Sequence, residues 1–289
     1  MTTPIQHPRC PVCEGGDANV PYPGLPNLVE CPGCGLLFRS DWREIAAPNA
    51  AYVEANASPA RLLAEESERG AYYAEVSRRI RTMGVPSPAA GARRGSGAPG
   101  RGTLLEIGCG AGGLLTLLHA QGWTVEGIEP SGPLHAHARA RLPAEVRIHP
   151  CAMEEAEPRL VHRPYQAVVA LDVIEHLPDP FVLPTTAAEW LAPGGLLFLQ
   201  TPNARSIRRR LQGARWEQLA PEEHFLIHSP RSLRLVLELC GFKSARIETV
   251  GGGAVDGPLR RALMRPVGRL LSLCDLGNAL WAVAIKDRP

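Results

Sequence analysis

The apolar positions of this chain change period along its length. Between Ile45 and Met83 they recur at helical spacing, through Tyr52, Leu62, Leu63, Tyr72, Tyr73, Val76 and Ile80, which predicts helix. From Thr103 onward, short aliphatic runs alternate with helix-like segments. "TLLEI" predicts a strand and Gly112–Gln121 a helix. "TVEGIE" is a second strand, with a helix over Pro133–Leu142, and "EVRIHP" is a third. "YQAVVALD" is a fourth, with a helix near Phe181–Leu191, and "GGLLFLQTP" is a fifth, introduced by a turn at Pro193-Gly194-Gly195. The alternation predicts an α/β fold, a parallel sheet with helices on both faces. Its ligand crevice then lies along the strand C-termini. The tail holds an amphipathic helix, "SPRSLRLVLELCGF", ending at Gly241, and two last strands, "KSARIETV" and "ALWAVAIKD". Two stretches break the pattern. Residues 84–102 are rich in Pro, Gly and Ala and have no period, as a flexible linker would. Residues 258–276 are apolar with Arg interleaved; they predict a surface helix packed on its own domain, with a membrane-surface or lid helix as the alternative.

Composition changes this picture little. With 289 residues and 45% hydrophobic content, the chain can bury one sizeable core and a smaller module. A net charge of +2 is too weak to mark a nucleic-acid surface. No segment reads as a signal peptide or a membrane span, so the expected location is cytoplasmic, where thiols stay reduced.

The eight cysteines therefore raise a question of metal. Cys10-Pro-Val-Cys13 and Cys31-Pro-Gly-Cys34 are two C-x2-C pairs separated by 17 residues. Two such knuckles present four thiolates in a tetrahedron, which suits zinc, and a closed set of four ligands is structural. Gly33 and Gly35 fit the tight knuckle turn. Cys109, Cys151, Cys240 and Cys274 are scattered and read as buried fillers. Residues 1–40 thus read as a zinc ribbon, followed by a helical cap over 41–83, the linker 84–102 and an α/β domain over 103–289.

The first strand runs into "LLEIGCGAGG". Gly108, Gly110 and Gly113 spell a dinucleotide fingerprint, whereas Glu106, Gly108, Gly110 and Gly112 spell E-x-G-x-G-x-G, a pattern of S-adenosylmethionine sites. A pyrophosphate would sit poorly beside the Glu106 carboxylate, and a cationic amino-acid end would be favoured by it. Glu129, 23 residues after Glu106, ends the second strand and suits a ribose diol in either case. Together with "GIEPS", "ALDVIEHLPDP" and "LAPGGLLFLQTPN", the order of motifs over roughly 102–289 resembles the class I S-adenosylmethionine-dependent methyltransferases. The resemblance implies a Rossmann-like seven-stranded sheet. It also implies that Gly108, Gly110 and Gly112 line the methionine and ribose side of the donor, and that Glu106 bears on its cationic end. Glu129 would then bind the ribose, Pro130, Ala152 and Met153 would flank the adenine, and Leu171 and Asp172 would face the sulfonium. A helix N-cap is the alternative for Asp172.

A zinc ribbon joined to such a domain resembles bacterial methyltransferases acting on sugars or natural-product intermediates. Their substrate-side segment corresponds to 203–230, "TPNARSIRRRLQGARWEQLAPEEHFLIHSP" with its flanks, in which a Glu-His pair precedes a Ser-Pro helix start. The resemblance implies a general base at His224, oriented by Glu223, with His176 of "VIEHLPDP" as a second candidate; His228 is a weaker one. "PEEH" lacks the Tyr common just upstream in the sugar C-methyltransferases, so the expected acceptor is a hydroxyl before a carbon or nitrogen. Trp216 either walls the acceptor pocket or anchors its loop, and Arg208–Arg210 reads as a solvated face before a phosphate site. The competing readings are an rRNA or tRNA methyltransferase using the ribbon for RNA contact, and a non-catalytic zinc-ribbon adaptor. Low charge and 5% aromatic content argue against nucleic acid, and the intact glycine turn argues against an adaptor.

Overall fold

A computed structural model of the chain describes residues 8–15, 20–44, 69–82, 101–160, 162–220, 223–251 and 270–287. In chain order the elements are strands β1 (Val20–Tyr22), β2 (Leu25–Glu30) and β3 (Leu37–Arg39), then helix α1 (Gly70–Thr82). Next come β4 (Thr103–Ile107), α2 (Gly113–Ala120), β5 (Thr124–Ile128), α3 (Gly132–Arg141), β6 (Arg147–His149) and β7 (Tyr165–Leu171). The chain continues through α4 (Val182–Trp190), β8 (Leu191–Pro202), α5 (Ile207–Gln212), β9 (Leu226–Ile227), α6 (Pro230–Leu239), β10 (Phe242–Val250) and β11 (Ala279–Lys286). A seven-stranded sheet has the order β10-β11-β8-β7-β4-β5-β6. The two tail strands stand together at one end of that order, and helices alternate with its strands along the chain, so the expected α/β class and strand count are present. Of the helical cap expected over 41–83, Gly70–Thr82 is seen as α1; residues 45–68 and 83, residues 84–100 of the linker expected over 84–102, and residues 258–269 of the Arg-rich stretch 258–276 lie outside the described residues. No helix among the described residues is long and apolar enough to cross a membrane.

The described chain forms two compact units, each drawn from three stretches. One unit comprises Pro48–Leu171, Thr186–Phe198 and Ala284–Pro289. Here β4 pairs in parallel with β5, Thr103 opposite Thr124 through Ile107 opposite Ile128, and with β7, Leu104 opposite Ala167 through Ile107 opposite Ala170. β5 pairs in parallel with β6. Leu104, Leu105, Ile107, Val168 and Val169 are all buried, the continuous apolar run of a strand covered on both faces. α2 buries Leu114, Leu115 and Leu118. α1 buries Tyr73, Val76 and Ile80, and its Ser77 hydroxyl donates to Gln121 Oε1 at 2.7 Å. β8 spans Leu191–Pro202 and includes the turn expected at Pro193-Gly194-Gly195, where Gly194 takes a left-handed φ of +76°. A Cβ on Gly195 would lie 2.8 Å from the Ala192 carbonyl oxygen and 3.1 Å from that of Tyr165, so two backbones meet where only glycine fits.

The other unit comprises Met1–Ala47, Asp172–Thr185 and Leu199–Val283. It holds a four-stranded sheet of order β1-β2-β3-β9. The ribbon sheet is therefore completed by Leu226–Ile227 of the 203–230 segment, with Leu37 opposite Ile227 and Phe38 opposite Leu226, antiparallel. Successive residues on these strands point to opposite faces. Val29, Phe38 and Leu226 pack with the cysteine cluster, Phe225 and Val236 of α6. Leu28, Leu37 and Ile227 pack with Ala204, Trp216 and Leu219 on the other face. α6 starts on a capping box: Ser229 Oγ accepts from the Ser232 amide at 3.0 Å and Ser232 Oγ accepts from the Ser229 amide at 2.9 Å. The Ser229 hydroxyl also donates to the carbonyl of Cys34 at 2.5 Å.

Replacing Ser229 by Ala removes the cap and the bond to Cys34 together. Thermal or urea unfolding is expected to show a loss of about 1–2 kcal/mol; a variant as stable as the parent would deny the cap any weight.

Candidate functional site

β4 ends at Ile107 and the chain turns through Gly108, Gly110 and Gly112, with φ of +70°, +53° and +77°. These left-handed conformations strain any residue with a Cβ. The amides of Gly108 and Cys109 both donate to the Ile128 carbonyl, at 2.9 and 3.0 Å, which anchors the turn to the end of β5. The glycines then differ in purpose. A Cβ at Gly112 would lie 2.9 Å from Leu142 Cδ1, so that glycine admits the chain beyond α3. A Cβ at Gly110 would meet nothing within 4 Å, so the turn faces open space there.

Glu129 closes the turn. It is only 4% exposed; its Oε2 accepts from the Gly110 amide and its Oε1 from the Ser131 amide, each at 2.8 Å. Burial pushes its carboxyl above the usual range, and the two amides pull it back. Glu106 is buried in β4, Pro130 and Ala152 are half-buried, and Met153 and Leu171 are buried. The residues named for the donor thus lie at the ends of β4, β5 and β7 and just past β6. Asp172 follows β7 with a φ of +54°, and its amide donates to the Gln200 carbonyl at 3.0 Å. The short 3-10 turn after it, Ile174–His176, is capped by Val173, so Asp172 is not the helix N-cap.

A buried polar network in the same unit escaped the sequence reading. Glu126 of β5 is fully buried, accepts from the Tyr165 hydroxyl at 2.6 Å and pairs with His149 Nε2 at 2.6 Å. The His162 amide adds a 3.3 Å contact to the same carboxylate. Burial and that carboxylate push the Tyr165 phenol up. His149 and His162, which have no partner motif in the sequence, both find one here. The available signal was an acid inside an otherwise apolar strand.

In the other unit, His176 and His224 meet edge to face, with ring centroids 4.8 Å apart and planes at 67°. His176 Nδ1 lies 2.8 Å from the Glu223 carbonyl, and His224 Nδ1 lies 2.8 Å from the Gln218 carbonyl. This corrects the expected pairing: His224 is oriented by the Gln218 backbone, while Glu223 engages His176 through its own backbone. The reason is local. The Glu223 and His224 amides both turn back onto the Ala220 carbonyl, at 2.9 and 2.7 Å, and the Glu223 residue faces solvent. Glu175 lies beside the pair, 1% exposed, and its Oε2 accepts from the Thr201 hydroxyl at 3.0 Å. Burial, then the charge of Asp172, pushes the Glu175 carboxyl up to about 8. Burial also holds the His176 imidazole below its usual value. His228 is fully buried, with its imidazole held down to about 4 by desolvation; it is a neutral core side chain whose Nδ1 lies 3.3 Å from Ser232 Oγ.

Two further assignments resolve. Trp216 is buried against Leu28, Leu37 and Leu219, so it anchors its loop. Of the arginine run, Arg209 makes paired 3.1 Å bonds to the Glu30 carboxylate of β2 and lies over the Tyr22 ring. Arg208 reaches Glu217 at 3.2 Å, and Arg210 is exposed. The run therefore works partly as a staple on the ribbon, not wholly as a solvated face.

Cys10, Cys13, Cys31 and Cys34 converge, with Sγ–Sγ distances of 3.6 Å for Cys10–Cys34 and 3.5 Å for Cys13–Cys31. The edge of a zinc–thiolate tetrahedron is about 3.8 Å, so the set fits zinc with little movement. Each knuckle closes on a left-handed residue, Glu14 (φ +56°) in the first and Gly35 (φ +74°) in the second. The Gly35 amide donates to the Cys31 carbonyl at 2.7 Å. The other cysteines are not all fillers: Cys109 and Cys151 are buried, Cys240 is half-buried and Cys274 is exposed in the turn before β11.

Residues 61–246 match the family described as a methyltransferase domain. The ubiquinone biosynthesis O-methyltransferase of Hydrogenovibrio crunogenus is 31% identical over 103 residues, 35% of this chain and 43% of that protein. The human mitochondrial ubiquinone biosynthesis O-methyltransferase is 30% identical over 163 residues, 52% of this chain and 42% of that protein. The chain thus spans less than half the length of these curated relatives. A SAM-dependent methyltransferase from Archaeoglobus fulgidus shares the fold, with a TM-score of 0.52 at 19% identity over 75% of this chain and 94% of that one.

Replacing Cys31 by Ser is expected to release zinc from the four-cysteine set and to lower the melting temperature. Unchanged zinc content would remove Cys31 from the ligand set.

Proposed function

We propose, from the premise that this chain belongs to the methyltransferase-domain family, that it moves a methyl group from S-adenosylmethionine to a hydroxyl of a small-molecule acceptor. When bound, that donor supplies a methyl carbon activated by a sulfonium. The observation that carries the reading is the turn at Gly108–Gly112. Its backbone faces open space at Gly110, and its closing acid, Glu129, is held in place by two amides. Such a turn admits a ligand against the backbone, and a carboxylate at the end of β5 accepts from ribose hydroxyls. The buried Glu106 favours a cationic ligand end over a diphosphate.

In this reading Gly108, Gly110, Gly112 and Glu106 hold the methionine end, with Pro130, Ala152 and Met153 at the adenine and Leu171 and Asp172 toward the sulfonium. The His176–His224 pair serves the acceptor. A carbonyl accepts only, so each Nδ1 carries the proton and each Nε2 keeps its lone pair. His224 Nε2 is the proton acceptor for the hydroxyl, with the Gln218 carbonyl as its orienting partner. The four-cysteine set holds structural zinc. An acceptor of ordinary small-molecule size is favoured over RNA by the net charge of +2, and the curated O-methyltransferases support oxygen as the acceptor atom.

Calorimetry with S-adenosylhomocysteine tests the donor side. Glu129→Gln is expected to weaken its binding about tenfold, roughly 1.4 kcal/mol; tight uptake of a nicotinamide dinucleotide with no heat from S-adenosylhomocysteine would end the reading. Mass spectrometry across small-molecule hydroxyls and structured RNA then identifies the acceptor by the added methyl. On that acceptor His224→Ala is expected to lower kcat by about 100-fold or more with S-adenosylhomocysteine affinity unchanged, and normal turnover would clear His224 of a base role.

A further inference from the structure

We propose that Glu175, His176 and His224 form a second divalent-metal site, of two imidazoles and one carboxylate, distinct from the four-cysteine set. One ligand atom from each of the three lies within 4.8 Å of the others. The two residues of the Ile174–His176 turn and the one residue of the 223–225 segment are brought together by backbone. The Phe225 amide donates to the Glu175 carbonyl at 2.8 Å, and the His176 ring bonds the Glu223 carbonyl at 2.8 Å. The polypeptide thus fixes the triad before any ion arrives.

The outer contacts are those a metal site needs. Metal-bound imidazoles give Nδ1–H to an oxygen acceptor, which sets the tautomer and aims Nε2 at the ion. Both histidines do this here, toward Glu223 and Gln218 carbonyls. The Thr201 hydroxyl holds one Glu175 oxygen at 3.0 Å, which leaves the carboxylate acceptor capacity for an ion. Charge points the same way. Among the described residues, the side chains that act on the Glu175 carboxyl are Asp172, whose charge opposes ionisation, and His224 and Thr201, which favour it, and a buried carboxylate beside a second acid favours a nearby cation. Bond lengths near 2.1 Å require the three side chains to close by roughly an ångström or less each.

A donor set of two nitrogens and one oxygen suits Zn²⁺, Mn²⁺, Fe²⁺ or Co²⁺ better than Ca²⁺ or Mg²⁺. Three protein ligands leave open positions, as in sites that take an exogenous oxygen ligand. The class of ligand expected there is a hydroxyl, enol or carboxylate oxygen of the acceptor. That consequence rests on the proposed function; the metal site itself does not. The His224 lone pair serves either a proton or the ion, so a loaded site replaces the base role by polarisation of the acceptor oxygen.

The test titrates the metal-free full chain with Co²⁺ under reducing conditions and follows its visible spectrum, with metal content measured by mass spectrometry. The expected result is two equivalents. One gives the intense charge-transfer band of four thiolates, and one gives only weak ligand-field bands. Glu175→Gln and His224→Asn are each expected to reduce the total to one equivalent with the thiolate band intact. A parent chain that binds one equivalent, or variants that still bind two, would overturn the site. S-adenosylhomocysteine calorimetry on the same samples reports folding and the donor site independently. Lost donor binding with two metals retained would sink the proposed function alone, and the converse would sink this site alone.

Discussion

The Glu129 carboxylate is the constraint on which the glycine turn after β4 depends. A single side chain accepts from Gly110 and from Ser131, and so joins the turn after β4 to the start of the helix after β5. Neither amide has a helical partner of its own at that point, and a buried amide without an acceptor is expensive. Without this bridge a turn with three left-handed glycines would have many conformations open to it, because glycine gives up the most entropy on ordering. One acid thus offsets the flexibility that the glycines introduce. Its own charge is tolerated because two amides face it, which matters in a site that would present the same oxygens to sugar hydroxyls.

Much of the unit built on β4, β5 and β7 was legible from the chain. β4, β5, β7 and the helices after them follow from aliphatic runs broken by glycine, since a strand buried on both faces leaves little other composition possible. The cysteine spacing announced its own cluster for the same reason: few arrangements bring four thiols together from two C-x2-C pairs. What stayed hidden were pairings between distant segments. β9 is two residues long and carries no period, so nothing local says that it completes the ribbon sheet. The Gln218 and Glu223 carbonyls that orient the histidines are backbone atoms, which sequence never specifies. Glu223 was the natural partner for His224 by adjacency, yet neighbours on a tight turn point apart. The turn at Pro193-Gly194-Gly195 was legible from its letters, because Gly194 supplies the left-handed φ of +76° that it takes there.

Buried acids divide the molecule's electrostatics into solved and unsolved problems. Glu126 is answered by a tyrosine hydroxyl and an imidazole within 2.6 Å, a network that closes on itself inside the sheet. Glu129 is answered by amides. Glu175 has one hydroxyl and sits near a second acid, and its environment favours the neutral form until a cation or a charged imidazole balances it. The first two arrangements are what a stable core requires. The third carries the tension commonly found where a protein does chemistry.

The hydroxyl of Ser229 touching the Cys34 carbonyl, beside the pairing of β3 with β9, has an evolutionary reading. The cysteine knuckles are not a bead on a string. They share a sheet, a helix cap and an apolar cluster with residues nearly two hundred positions downstream. A gene fusion that appended such a ribbon to an existing enzyme would have had to remodel the loop around position 226 at the same time. Loss of the ribbon in a descendant would leave a bare strand edge, an invitation to self-association. The cysteine knuckles and the segment around 226–236 are therefore expected to have been inherited as one piece, and exchange of the N-terminal module between paralogues should succeed only when the downstream loop travels with it.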